Sequence, residues 1–406
     1  MTEMTSKVWN KLLDIELIIG MVVSIIIGIV GESLPRLYWS RMCWIALTIL
    51  LLNFILKIWG KNKHSIKIAS QWLGSLTLIL IFNFLIYTTT SMLNLMVKPL
   101  VLVSSIVGIV LLLLVDIPVV VVNFPVVKNW FMRLFMIFIL YLNYSYNVNR
   151  FLGTSGVIKA IIRSGVIIAL ATFILAFFIT RAWQLKFQWN LKLGKSKNFQ
   201  WLALILLLTF SVWFAFFNSF VTLAPSLADL LCFWQWDFST FEVTLNSVLA
   251  AIEAGIFEET LRYLNLVILL VAMRNFKYRM IFAIVISSIL FSLSHLGNLG
   301  ISTFLIKFDL ETTLQQVVYT FGAGMLFAVI YLYTGKLWLS ISIHGLVDLI
   351  ALSETPLTRI VSPLITDGWI SAIIILLIPL VVALLMMTGK RKTFMGENVG
   401  RIIAVS

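Results

Sequence analysis

The sequence predicts an all-α fold, a polytopic transmembrane helical bundle. Three observations predict it. Of the 406 residues 61% are hydrophobic and only 12% are charged, about half the charged fraction of a soluble chain. Apolar runs near the twenty residues needed to cross the hydrocarbon core recur from end to end. These runs are continuous rather than alternating, which excludes the dyad pattern of a membrane β-barrel.

Taken in order, the runs place spans near 15–30, 43–60, 72–90, 99–123, 130–147, 164–181, 201–223, 246–272, 280–297, 314–334, 338–353 and 369–388, about twelve in all. The basic residues set their orientation. Lys57, Lys61, Lys63 and Lys67 fall in one loop, Lys128 and Arg133 in another, and Arg181, Lys186, Lys192, Lys195 and Lys197 in a third. Arg274, Lys277 and Arg279 mark a fourth, and Lys390, Arg391 and Lys392 follow the last span. Every second loop is thus basic, and the loop at 224–245 carries Asp229, Asp237 and Glu242 with no basic residue. By the positive-inside rule both termini are expected to be cytoplasmic. Arg150, Lys159 and Arg163 depart from the alternation. Trp183, Trp189, Trp201, Trp234 and Trp236 lie in or near the expected interfaces, where amphipathic rings sit.

The net charge of +13 belongs to this loop pattern and to an anionic leaflet, so no nucleic-acid partner is expected. Cys43 and Cys232 are isolated, which leaves neither a disulfide framework nor a thiolate metal site. Lys7 and Lys11 precede the first apolar run with no small-residue cleavage site after it, so the first span is expected to be retained. The polar segment 182–200 divides two groups of six spans, and the chemically suggestive residues fall in the second.

Ionisable residues inside spans are costly and face partners or cavities. Glu258, Glu259 and Arg262 lie in GIFEETLRYLNL, with Glu258 and Arg262 four apart on one helix face and Glu259 three from the arginine. An internal ion pair needs one Glu and one Arg; the second glutamate is surplus, and Glu253 adds another. Of three histidines, His64 sits among lysines, whereas His295 and His344 lie in later spans, His344 with Asp348 four residues on. A carboxylate and imidazoles around one polar pocket suit water activation and oxyanion stabilisation. No HExxH is present, but Glu258, His295 and His344 could supply a two-His, one-carboxylate site for a divalent metal such as zinc. The GTSG at Gly153 to Gly156 reads as a turn.

The three stretches EETLR (Glu258 to Arg262), FSLSH (Phe291 to His295) and HGLVD (His344 to Asp348) resemble, in order and spacing, the motifs EExxxR, FxxxH and HxxxN or HxxxD. These are the motifs of the CAAX protease and bacteriocin-processing family of intramembrane proteases, also called Abi and type II CAAX prenyl endopeptidase-like. The resemblance covers roughly 200–390. The arginine comes one residue early, with Tyr263 in its usual place, and the last motif ends in Asp348 where Asn is common. The resemblance implies an endopeptidase of the cell membrane in which Glu258 is the general base, Glu259 supports it, His295 holds the water, His344 and Asp348 stabilise the oxyanion and Arg262 holds the glutamates. It leaves a metal-free glutamate mechanism and a zinc mechanism both open, and implies a peptide or membrane-protein substrate, in peptide or bacteriocin maturation or immunity. On this reading 1–197 is an N-terminal group of helices without a functional assignment, 198–390 the protease-like core and 391–406 a cytoplasmic tail. The competing readings are a non-catalytic scaffold, regulator or immunity protein, and a proton-coupled transporter, which would favour paired repeats with broken helices.

Overall fold

The computed structural model describes residues 3–34, 37–145, 151–191, 196–221, 226, 228, 231–232, 241–299, 309–353 and 367–404. Among these the chain is helical nearly throughout, and its one β-type pairing is an isolated bridge between Asn190 and Lys336. Two compact units are present, Met1–Leu185 and Lys186–Ser406. Of the loop residues used above to set orientation, Arg150, Lys192, Lys195, Asp229, Trp234, Trp236 and Asp237 lie outside the described residues.

The first unit comprises α1 (Glu3–Val30), α2 (Met42–Trp59), α3 (His64–Met96), α4 (Val101–Leu114), α5 (Asp116–Asn123), α6 (Trp130–Ser145), α7 (Gly156–Arg163) and α8 (Val166–Ala182). Its centre is α3, 33 residues long, against which α1, α2, α4, α5 and α6 pack. The pattern is that of a membrane protein: α3 buries Ser70, Gly74, Ser75, Asn83, Thr88, Ser91 and Asn94, while α1 and α4 expose Ile18, Ile25, Ile29, Leu102, Ile106 and Val110. Small and polar side chains pair helices closely, and the apolar ones face lipid. Of two paired carboxylates, Asp116 is buried and the Asp14 side chain is 42% exposed. Asp116 accepts a hydrogen bond from Asn83 Nδ2 at 2.9 Å, and Asp14 pairs with Lys57 at 2.7 Å.

The expected span at 99–123 is present as Lys98–Val126, with α4 and α5 separated only by Val115, which keeps helical dihedrals, beside Asp116 and Pro118. The segment expected as a loop before 164 is in part the helix α7, which bends by 50° into α8 through Gly165 at φ +79°. The GTSG stretch is a turn with both glycines at positive φ, closed by Thr154 Oγ1 donating to the Phe151 carbonyl at 2.8 Å.

The second unit comprises α9 (Trp201–Phe220), α10 (Leu245–Ala272), α11 (Arg279–Ser294, continued by one 3-10 turn to Asn298), α12 (Leu310–Thr334), α13 (Leu337–Ser353), α14 (Gly368–Met386) and α15 (Gly389–Ile403). Helix α12 is central, packed against α11, α13, α14 and α15, and α10 lies between α11 and α13. Local signals set the starts. Thr244 and Ser247 form a reciprocal capping box for α10, and Asp309 and Asp367 accept the first free amides of α12 and α14, which satisfies donors the helix itself cannot. Gly335, at φ +66°, stops α12 and takes the left-handed conformation a side chain would oppose.

Tyrosines of α10 and α12 pin the polar segment after Lys186. Tyr263 accepts from the Gln188 amide at 2.7 Å and donates to the Lys186 carbonyl at 3.1 Å. Tyr331 donates to the Gln188 carbonyl at 2.9 Å, and Tyr333 both accepts from and donates to the Gln200 backbone at 3.0 Å. The segment expected as a tail forms α15, an amphipathic helix that buries Phe394, Met395, Asn398, Val399 and Ile402. Its Glu397 accepts from Asn198 Nδ2 at 2.7 Å, a bond that holds the Glu397 carboxyl below its ordinary pKa.

Eight helices among the described residues are long and apolar enough to span a membrane, or nine if the bent α7–α8 pair is one span. The remaining expected spans differ for two reasons. The apolar part of α6, Trp130–Leu142, and helix α13 are short. Helix α10 has the length, 28 residues, but every eighteen-residue stretch of it holds at least Glu258, Glu259 and Arg262.

Candidate active site

Helix α10 crosses α13 where neither helix has a side chain. A Cβ on Gly255 would stand 2.7 Å from the Ile341 carbonyl oxygen and 3.1 Å from the Gly345 nitrogen, and a Cβ on Gly345 would stand 3.1 Å from the Ala251 carbonyl oxygen. The backbones therefore touch, as small residues permit in membrane helices. One turn beyond this crossing on α10 come Glu258 and Glu259, and beside Gly345 on α13 comes His344. The third element, the end of α11, adds His295.

Glu259 is sealed inside the bundle and is the hub of an inner network. Arg262, also fully buried, donates from Nε to Glu259 Oε1 at 3.1 Å, and its Nη2 forms an ion pair with Glu259 Oε2. The same Oε1 accepts from His344 Nδ1 at 2.9 Å. Arg262 thus holds Glu259 rather than both glutamates, although Glu258 is the residue four positions away. Tyr263, in the position usual for the arginine, turns away to the Lys186–Gln188 backbone. The one-residue displacement is absorbed by an i, i+3 pair in place of an i, i+4 pair.

Glu258 forms the outer layer of the site, with its side chain 28% exposed and its Oε2 buried without a hydrogen-bond partner. That oxygen lies 3.8 Å from His295 Nε2 and 3.7 Å from His344 Nε2. His344 Nε2 also lies 3.5 Å from Asp348 Oδ2. The sequence-predicted residues Glu258, Glu259, Arg262, His295, His344 and Asp348 are therefore all brought together, in two layers.

The hydrogen bonds fix which ring nitrogens carry protons. His295 Nδ1 lies 3.1 Å from the Phe291 carbonyl, which only accepts, so Nδ1 is protonated and the neutral ring presents an unprotonated Nε2 to Glu258. His344 Nδ1 donates to a carboxylate already neutralised by Arg262, so its Nε2 is the atom turned to the pocket. Phe327 stacks on His344 with centroids 4.9 Å apart and 17° between planes, and also lies under the Arg262 guanidinium. Phe291 meets both imidazoles edge-on, at 5.1 Å and 5.9 Å. Phe291 opens the FSLSH motif, but the role of Phe327 was not legible: it lies in an apolar run of α12 with no polar neighbour to single it out. The backbone crossing at Gly255 and Gly345 was missed for a similar reason, since a small residue in each of two distant spans gives no local signal.

The donor separations bear on whether a metal would fit. No group of three His, Cys, Asp or Glu side chains among the described residues is spaced to hold one. The nitrogen–oxygen separations of 3.7 and 3.8 Å exceed the roughly 3.3–3.4 Å edge that tetrahedral zinc–ligand distances of about 2.0–2.1 Å would set.

No curated protein and no solved structure matches the chain. Residues 240–350, which hold all six of these side chains, match the family model for type II CAAX prenyl endopeptidase Rce1-like proteins, the CAAX protease family that the three motifs resemble.

Proposed function

We propose that the protein is an integral endopeptidase of the cell membrane that hydrolyses a peptide bond with a water activated by Glu258. The family match and the run of apolar helices together point to a membrane endopeptidase. The observation that carries the mechanism is the convergence of Glu258 Oε2 with the Nε2 atoms of His295 and His344 at 3.8 and 3.7 Å. Those gaps are too long for direct hydrogen bonds and suit one bridging water.

Such a water donates one proton toward Glu258 and the other toward the unprotonated Nε2 of His295, which leaves an oxygen lone pair for attack. As the water oxygen bonds to the scissile carbonyl carbon, Glu258 takes the proton and the carbonyl oxygen becomes an oxyanion. Stabilisation of that oxyanion falls to the edge of the pocket formed by His344 Nε2 and Asp348, while His344 Nδ1 keeps its bond to Glu259. Collapse breaks the C–N bond, and the proton on Glu258 passes to the leaving nitrogen. Glu259 and Arg262 are positioning residues: they fix the His344 ring and make no contact with the reacting atoms. Asp348, 3.5 Å from His344 Nε2, adds a donor to the oxyanion when protonated. The substrate is a peptide or membrane protein, in the setting of peptide maturation or bacteriocin immunity.

The test uses the purified full chain in lipid nanodiscs with pools of prenylated peptides and of transmembrane peptides, cleavage being read by mass spectrometry. Wild type should yield defined cut sites, and Glu258→Gln and His295→Ala should yield none at equal folding. Cleavage unchanged in both variants would overturn the catalytic reading and leave a non-catalytic membrane protein.

A further inference from the structure

A second site lies at the end of the bundle where α10 gives way to α11. A cleft of about 530 Å³ opens there between the α10–α11 loop and α15. Four cationic side chains line it, Arg274, Lys277 and Arg279 from the loop and Lys392 from α15, and no acidic side chain is among the described residues that line it. Two basic segments more than a hundred residues apart in sequence thus face one space. Like charges at such range repel, so the fold holds there an arrangement that an anion would relieve.

The cleft is built rather than incidental. Arg279 Nη1 donates to the Arg274 carbonyl at 2.5 Å and closes the loop on itself. Lys277 lies over the Tyr278 ring at 5.5 Å. The α15 wall is anchored from behind, since Phe394, Met395 and Val399 are buried and Asn398 Nδ2 donates to the Leu332 carbonyl at 2.8 Å. The first residues of α11, the positive end of that helix's dipole, form another wall.

The surroundings of the cleft specify the kind of anion. Phe276 and Tyr278 on its rim are 44% and 47% exposed, the placement of aromatics at a membrane interface. From the cleft an exposed apolar strip runs down α11 through Phe282, Ile289 and Leu293, spaced seven and four apart and so on one helix face. A cationic cup that continues into an apolar strip is complementary to an amphiphile with a negative head. A soluble phosphate compound would use the cup and leave the strip empty. We propose that this cleft is a binding site for an anionic phospholipid, its phosphate held by Arg274, Lys277 and Lys392 and its acyl chains lying along Phe282, Ile289 and Leu293.

The test is lipid retention by the delipidated full chain in detergent, read by native mass spectrometry with phosphatidylglycerol and phosphatidylcholine of identical chains in competition. Salt of about 0.5 M suppresses general surface attraction. Wild type should retain phosphatidylglycerol preferentially. Lys392→Ala should reduce the preference about fivefold and Arg274→Ala/Lys277→Ala/Lys392→Ala should remove it, since each basic side chain near an anionic head contributes on the order of a fivefold change. Lys61→Ala/Lys63→Ala, in another basic loop, should change nothing. Equal retention of the two lipids by wild type would overturn the proposal. So would an equal loss in the Lys61/Lys63 variant, which marks general surface charge, or displacement of the phosphatidylglycerol by millimolar inorganic phosphate, which marks a soluble ligand. Unfolding temperatures of the variants in phosphatidylcholine separate loss of the site from loss of the fold.

Discussion

Both units of the molecule bury carboxylates, and the two clusters are built to different ends. In the first unit Asp116 is enclosed by packed helices and bonded by the Asn83 amide. Glu16, on α1, has an oxygen without a hydrogen-bond partner and lines an apolar cavity of about 310 Å³. In the second unit Glu258 also has an oxygen without a hydrogen-bond partner. An unsatisfied carboxylate oxygen therefore does not distinguish a reactive site. What distinguishes Glu258 is the pair of imidazoles that flank that oxygen and an inner layer, Glu259 with Arg262, that fixes one of them. No imidazole is available in the first unit except the exposed His64 at the start of α3.

The comparison breaks most sharply at two neighbouring residues. Glu258→Gln keeps the shape of the pocket and removes the base. Cleavage should fall by about 10²–10⁴-fold, the range for loss of a general base, with the unfolding temperature unchanged. Arg262→Met should act the other way round. It leaves Glu259 as a buried charge without its ion-pair partner, and breaking a buried pair costs about 3–5 kcal/mol. Thermal unfolding in nanodiscs should show a large loss of stability, partly restored in the double variant Arg262→Met/Glu259→Gln. A stable Arg262→Met protein with full activity would show that the inner layer is dispensable. Gly345→Val sharpens the same point through packing. Its side chain meets the α10 backbone at Ala251, and overpacking costs about 1–3 kcal/mol; the displaced α10 should reduce cleavage more than it reduces stability.

Much of this was legible in the sequence because the relevant signals are local. Length of apolar run, Lys and Arg in loops, and three short motifs identify a helical membrane bundle and six residues that do converge. The layering among those six was not legible. Spacing alone put Arg262 on the face of Glu258, whereas rotamer and burial give it to Glu259, because the decision rests on which carboxylate oxygen points inward. Asp116 was overlooked in VLLLLVDIPVV, although a single acid in an apolar run is a visible signal of a buried contact. The packing of α15 was hidden for the opposite reason. GKRKTFMGENVGRII begins as a basic tail, and only the three- and four-residue spacing of Phe394, Asn398, Val399 and Ile402 marks one buried face.

The smallest effects are the ones that keep the two clusters apart. Asp116→Asn preserves a hydrogen-bonding group opposite Asn83 and removes a charge from the first unit. Cleavage should stay within about twofold of wild type, since none of the six convergent residues belongs to the first unit, and stability should shift by no more than the roughly 1–3 kcal/mol of one buried polar contact. Chelation should do still less. The proposed water is activated by Glu258 without a metal, so wild-type cleavage should be unaltered after dialysis against 1,10-phenanthroline and unaltered again when zinc is restored. A chelator-sensitive rate that returns with zinc would replace the water held by two imidazoles with a metal-bound one. A loss of cleavage in Asp116→Asn at unchanged stability would mean instead that the first unit's carboxylate takes part in the reaction, and the contrast between the clusters would then be one of distance from the peptide bond rather than of chemistry.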